Sequence, residues 1–168
     1  MEQIQQSEHE RSPAEQLLTF RLADQEYAVD ILRVQEIRGW TTPTSLPNVP
    51  VWIKGIVNLR GTIVPIVDLR ERFGLFAEAC GATTVVIVLR ARSRDRDRVV
   101  GVVVDSVNDV VRPKEGATQP PPDLGTVVDL RFVLGLVSSE ERLSILLDVD
   151  TLLDFDTIEA PGLQTRTP

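Results

Sequence analysis

The sequence predicts an all-β protein arranged as two small barrels. Three observations carry this: about ten short β-branched runs, turn signals between them at close intervals, and almost no amphipathic helix. Leu17–Leu22 and Glu26–Val29 read as strands joined by Ala23-Asp24-Gln25. Ile31–Ile37 alternates imperfectly, as a strand with one partly exposed face does. Thr41–Pro50 is turn-rich, with prolines at 43, 47 and 50, and Val51-Trp52-Ile53 is expected to form a single helical turn. Leu69–Phe73 suggests another short turn.

The most informative stretch is Ile53–Arg70, in which two β-branched runs flank Asn58-Leu59-Arg60-Gly61. Val and Ile suit a pleated surface, and Gly61 supplies the positive φ of a tight connection. With Arg60 and Gly61 as the loop, Val57 opposes Val64 and Ile56 opposes Pro65. Apolar pairs then lie on both faces, which predicts a sandwiched hairpin with Arg60 held outside. Pro65 lacks a ladder donor, so the second strand is expected at an edge or bulged there.

A second series follows. Thr83–Leu89 and Arg98–Val104 are nearly continuous apolar runs, the mark of strands buried on both faces. The Arg-rich segment 92–98 between them reads as a solvated hairpin loop. Val107–Val111 continues as strand, Pro113 and Pro120-Pro121-Pro122 mark a long loop, and Val127–Val137 holds short strand or turn pieces. Leu143–Val149 is the last strong strand, and Asp150–Phe155 closes as a helical turn with Asp150 as its cap. No exact internal repeat is visible. Residues 1–14 and 156–168 read as disordered tails around one folded region, 15–155. Within it, barrel 1 covers about 17–80 and barrel 2 about 81–153, or the two intertwine. Each would be marginal alone, which favours a shared core.

Composition excludes several function classes. A net charge of −7 and 5% aromatic residues argue against a nucleic-acid-binding small barrel, which needs a basic groove with exposed aromatics. No apolar run approaches the 18 or so residues of a membrane span, and the polar N-terminus is no secretory signal. The single histidine, His9, lies in the first tail, so neither a His-assisted nucleophile nor a His-based metal site is expected. Cys80 has no base or cation nearby in sequence and reads as an inert thiol. The acidic pairs Glu140-Glu141 and Asp148/Asp150 read as solvated turn residues. No enzyme is predicted, and no cofactor.

Three segments then converge on a family. Val34-Gln35-Glu36-Ile37-Arg38-Gly39, Leu46-Pro47-Asn48-Val49-Pro50 and Ile53–Arg70 resemble the CheW family of bacterial chemotaxis coupling proteins. Val99–Val107 and Leu143–Leu153 agree, so the resemblance runs from about Leu17 to Leu153. It implies two five-stranded SH3-like β-barrels sharing a central hydrophobic core. It also implies a non-catalytic adaptor that binds the cytoplasmic tips of chemoreceptors (methyl-accepting chemotaxis proteins) and the regulatory domain of the histidine kinase CheA. Such an adaptor would be cytoplasmic, associated with membrane-anchored receptor arrays and not inserted in the membrane. A scaffold in a non-motility chemosensory pathway is the alternative. Carried over by position, the receptor-facing residues are Val34, Glu36, Asn58 and Arg60; the kinase-facing residues are Gly61, Gly101 and Val107. With no room for a kinase or receiver domain, a stand-alone adaptor fits best. The charged 92–98 loop and the Pro120–Pro122 loop depart from the family pattern and read as solvated decoration.

Each of these residues also has a plainer reading. Arg60 suits a contact because its planar fork binds carboxylates. Val34 and Glu36, two apart, belong on one strand face, so the exposure of Val34 decides between contact and core. Gly55, Gly61 and Gly101 read first as backbone-geometry residues. Trp40 and Trp52 are expected to pack the barrel junction.

Overall fold

The chain begins one sheet, leaves to complete another, and returns. The computed structural model describes residues 15–93, 95–122 and 130–155. β1 (Leu17–Leu22) and β2 (Gln25–Asp30) pair as an antiparallel hairpin. A 3-10 turn over Ile31–Arg33 carries the chain away. Five strands then form a sheet of their own: β3 (Val34–Gly39), β4 (Ile53–Leu59), β5 (Thr62–Asp68), β6 (Val85–Ala91) and β7 (Arg98–Val104), in the order β3-β6-β7-β5-β4. A helical turn, α1 (Leu69–Arg72), follows β5. β8 (Ser106–Val111) returns to β1, and β9 (Thr118–Gln119), β10 (Val133–Ser139) and β11 (Arg142–Leu147) complete the order β8-β1-β2-β11-β10-β9. α2 (Val149–Leu152) follows β11. These are two SH3-like barrels, named here for their hairpin tips: the Arg60 barrel (β3–β7) and the Glu140 barrel (β1, β2 and β8–β11).

A boundary at residue 80 would cut the five-stranded sheet between β5 and β6, so the barrels are intertwined and not successive. The reason is β11, which pairs in parallel with β2. A parallel neighbour needs a long crossover, and here the crossover contains the whole other barrel.

Strand alternation distributes side chains between cores. In β6, Val86 and Val88 enter the Arg60 barrel's own cluster with Leu59, Val64, Ile66 and Val103. Ile87 and Leu89 point the other way, into a larger cluster that also holds Phe20, Leu22, Val29 and Leu147 of the Glu140 barrel. β6 and β7 are buried on both faces, which is why they read as unbroken apolar runs. The shared core expected from barrel size is present.

Several local expectations change. Ile31–Arg33 is not strand, because the Asp30 carboxylate accepts the Leu32 N–H at 3.0 Å and tightens the chain into a turn. Val51 and Trp52 form a hydrogen-bonded turn, closed by Ile53 N–H to the Pro50 carbonyl, and not a helix. Asp148 caps α2, while Asp150 sits in its first turn. Trp52 packs on the shared core, but Trp40 packs on the Arg60 barrel's own cluster.

The hairpin register is as the sequence predicts: Val57 opposes Val64 and Ile56 opposes Pro65. Yet β5 is interior and unbulged at Pro65. Counting from the closing pair Leu59/Thr62, position 56/65 is a non-hydrogen-bonded pair, so the missing donor faces away from β4. Pairing with β7 starts only at Ile66, and no ladder bond is lost. The hairpin is sandwiched toward its base, where Val64, Ile66 and Val67 are buried, while Thr62 and Ile63 near the tip are exposed. The expected tails lie outside the described residues, as does 127–129 of the Val127–Val137 segment.

Candidate functional site

β4 and β5 meet at Arg60-Gly61, with φ of 50° and 88°. Positive φ at both positions makes the turn whose twist matches a hairpin. Gly61 adopts it freely; Arg60 does so because Asn58 closes the turn, its Oδ1 accepting the Gly61 N–H at 2.8 Å. Asn58 is thus first a turn-fixing residue, itself exposed.

Arg60 is 78% exposed, yet it has a partner: its Nη2 donates to Glu36 Oε2. The pair joins the β4–β5 hairpin to β3, which lies at the opposite edge of the sheet order. Only a curled sheet brings these together, so the contact closes the barrel rim. Arg38 approaches the other Glu36 oxygen at 3.5 Å. The hydrogen bond from Arg60 holds the Glu36 carboxyl below its usual range, and the charges of Arg60 and Arg38 add to this against the opposing effect of burial. Beside the pair lies a shallow depression of about 320 Å³, lined by Gln35, Leu59, Arg90 and Val99 among others.

Val34 does not share this rim. A bulge between Val34 and Glu36 sets Val34 opposite Leu89 and Glu36 opposite Val88. Cross-strand partners point to the same face, and Leu89 and Val88 face different cores. Val34 is therefore half-buried on the shared core, while Glu36 turns toward the Arg60 rim.

The three kinase-facing residues do not form one surface. Gly61 is exposed at the tip. Gly101 is buried in β7, where an added Cβ would lie 2.7 Å from Ile66 Cδ1 and 3.0 Å from Val86 Cγ1. It is a close-packing glycine with no side chain to offer. Val107, opposite Phe20 in the other barrel, is half-buried against the shared core.

A polar cluster in the interior had no counterpart in the sequence reading. Asp68 and Arg70 are 1% and 2% exposed. Asp68 Oδ1 accepts from the backbone N–H and Nε of Arg70, both at 3.0 Å, and Oδ2 from Nη2 at 2.9 Å. Arg70 Nη1 reaches Asp105 Oδ1 at 2.9 Å, and Asp105 Oδ2 accepts the Ala23 N–H at 2.6 Å. The carboxylate of Asp68, then that of Asp105, holds the guanidinium well above its usual range despite burial. Cys80 receives Arg70 Nη2 at 3.5 Å, but burial is the larger influence and pushes the thiol up. Asp-Leu-Arg at the end of an apolar strand was the signal available; Asp105, the second partner of Arg70, is 35 residues on. At the other end of the acidic pairs, Asp150 binds Arg33 through two hydrogen bonds, at 2.9 and 2.8 Å.

Among the described residues no cluster of His, Cys, Asp and Glu could hold a metal ion. Among them, too, no helix is long and apolar enough to cross a membrane.

The chain matches the family model of the CheW-like domain over residues 16–156. It is 36% identical over 154 residues to a chemotaxis protein CheW of Rhizobium meliloti, covering 92% of this chain and 97% of that one. It is 42% identical over 139 residues to that of Klebsiella aerogenes, covering 83% and 81%. The crystal structure of scaffolding protein TtCheW from Thermoanaerobacter tengcongensis is similar with a TM-score of 0.77 at 29% identity, covering 89% of this chain and 99% of that one.

Proposed function

The chain belongs to the CheW family of chemotaxis scaffold proteins, and we propose on that footing that it is a non-catalytic adaptor. It binds the cytoplasmic tips of chemoreceptors and the regulatory domain of a CheA-type histidine kinase, in the cytoplasm, at membrane-anchored arrays. The observation that carries the reading is the Arg60–Glu36 couple, an exposed guanidinium on a half-buried carboxylate, on a rim made rigid by a closed turn. Such a couple at a rim offers a helical tip one donor fork and one acceptor, and exchanging partners costs little where the charges still reach water. The receptor-facing residues are Glu36, Asn58 and Arg60, with Val34 supporting β3 from the core side. Of the three kinase-facing residues, Gly61 keeps a contact role; Gly101 and Val107 act through packing.

Binding of a receptor-tip fragment and of the kinase regulatory domain by the purified chain tests this. Arg60→Ala should leave the fold and the kinase interaction in place and weaken receptor binding about ten-fold or more. Unchanged receptor affinity would remove Arg60 from the interface.

A further inference from the structure

The chain crosses between barrels twice, and each crossing is pinned. In the β7–β8 crossing, Asp105 binds Arg70 of α1 and the Ala23 N–H of the β1–β2 turn. In the β2–β3 crossing, Arg33 binds Asp150 of α2, which also accepts the Arg92 N–H just after β6 at 2.6 Å. Each carboxylate therefore ties one barrel to the other. The polarity is reversed: the acid sits on the crossing in one pin and on the helical turn in the other.

The pins differ in burial. Arg70 is 2% exposed and held by Asp68 as well. Arg33 and Asp150 are 20% and 35% exposed, and the described contacts give Arg33 no second carboxylate. Arg33 also immediately precedes β3, the strand that carries Glu36. We propose that Arg33 and Asp150 are positioning residues for the Arg60 rim, setting β3 and the Glu36–Arg60 couple relative to the Glu140 barrel, while Arg70–Asp105 is the fixed joint. Neither residue touches the partner. Their influence on receptor binding rests on the adaptor reading above; their influence on barrel orientation does not.

The test uses the full chain carrying Cys80→Ser, with spin labels at the exposed positions Ile63 and Leu143, one on each barrel. Pulsed EPR distances are measured on the labelled chain, and receptor-tip affinity on the unlabelled one because Ile63 pairs with Asn58, for Arg33→Ala, Asp150→Ala, the double variant and the shape-preserving Asp150→Asn. Each single change should broaden the distance distribution and weaken receptor binding about five-fold, the loss of one partly buried pair. The double variant should be no worse than Asp150→Ala alone, which already removes the Arg33 contact together with the Arg92 bond. A narrow, unchanged distribution in the single variants overturns the proposal, even if their melting temperatures fall. Additive losses in the double variant overturn it too. If the unmodified chain fails to bind the receptor tip while the distances respond as expected, the adaptor reading falls and the pin stands.

Discussion

The two barrels repeat one design and diverge at its outer end. In each, a hairpin lies parallel to a strand of a second hairpin: β4–β5 beside β7, β10–β11 beside β2. Each first hairpin has a register shift at the same place, Ile53/Gly55 and Val133/Gly135. Each ends in an Asp-capped helical turn, Asp68 and Asp148. The tips share a backbone as well, with positive φ at Arg60 and Gly61 and at Glu140 and Glu141. Their charge is opposite. The barrel that offers a cation paired to Glu36 has a twin offering two acids beside a polar hollow lined by Arg21, Glu26, Asn108 and Arg142. What recurs is what the backbone requires. What differs is available for recognition, and the receptor site proposed above lies on the Arg60 side of that difference.

The largest contrast concerns the two capping carboxylates. Asp148 only caps, taking the Thr151 N–H and hydroxyl, so Asp148→Ala should cost about 1 kcal/mol. Asp68 also neutralises a buried guanidinium, and Asp68→Ala should cost about 3–5 kcal/mol because Arg70 is left without its main partner. Urea denaturation of both variants reads the difference; equal losses would mean the buried cluster contributes nothing beyond the cap.

A second contrast concerns the paired glycines. A Cβ at Gly55 would lie 2.1 Å from the Thr44 carbonyl oxygen, and one at Gly135 2.5 Å from that of Gln119. Gly55 alone of the two has φ in the left-handed half, at 139°. Gly55→Ala should therefore cost about 1–3 kcal/mol in strain beyond the clash, and Gly135→Ala less, since it displaces only the two-residue β9. Thermal melts rank them; a costlier Gly135→Ala would reverse the comparison.

The smallest effect is a titration. Glu36 is held below its ordinary value of 4.5, so its pairing with Arg60 is complete above that value and lost as pH falls through the lowered one. Carboxyl-carbon NMR should place the midpoint under 4.5 in the native chain and closer to 4.5 in Arg60→Ala. A midpoint unmoved by the substitution would show no pair in solution.

What could be read from sequence was local. The register of the Arg60 hairpin follows from Gly61 and the two flanking β-branched runs, and β7 from its apolar run with charged Arg98 at its start. The charge pairs could not be read: Glu36 and Arg60 lie 24 residues apart, and Arg33 and Asp150 lie 117 apart. Side-chain hydrogen bonding also overrode propensity, as when Asp30 turned Ile31–Arg33 out of the strand pattern. Val34 and Glu36 looked like one face because period-two reasoning assumes an unbroken ladder; the bulge between them breaks it. The repeated design does not show as a sequence repeat because it consists of connectivity, two glycines and two capping aspartates set among otherwise differing side chains.

The central claim is that the Arg60 rim, and not its twin, meets the receptor. Backbone NMR of the labelled chain titrated with a receptor-tip fragment tests it directly. The account predicts shifts or broadening at Glu36, Asn58, Arg60 and Gly61, with Ser139, Glu140, Glu141 and Arg142 unmoved. Perturbation confined to the Glu140 tip, or spread equally over both, would contradict it.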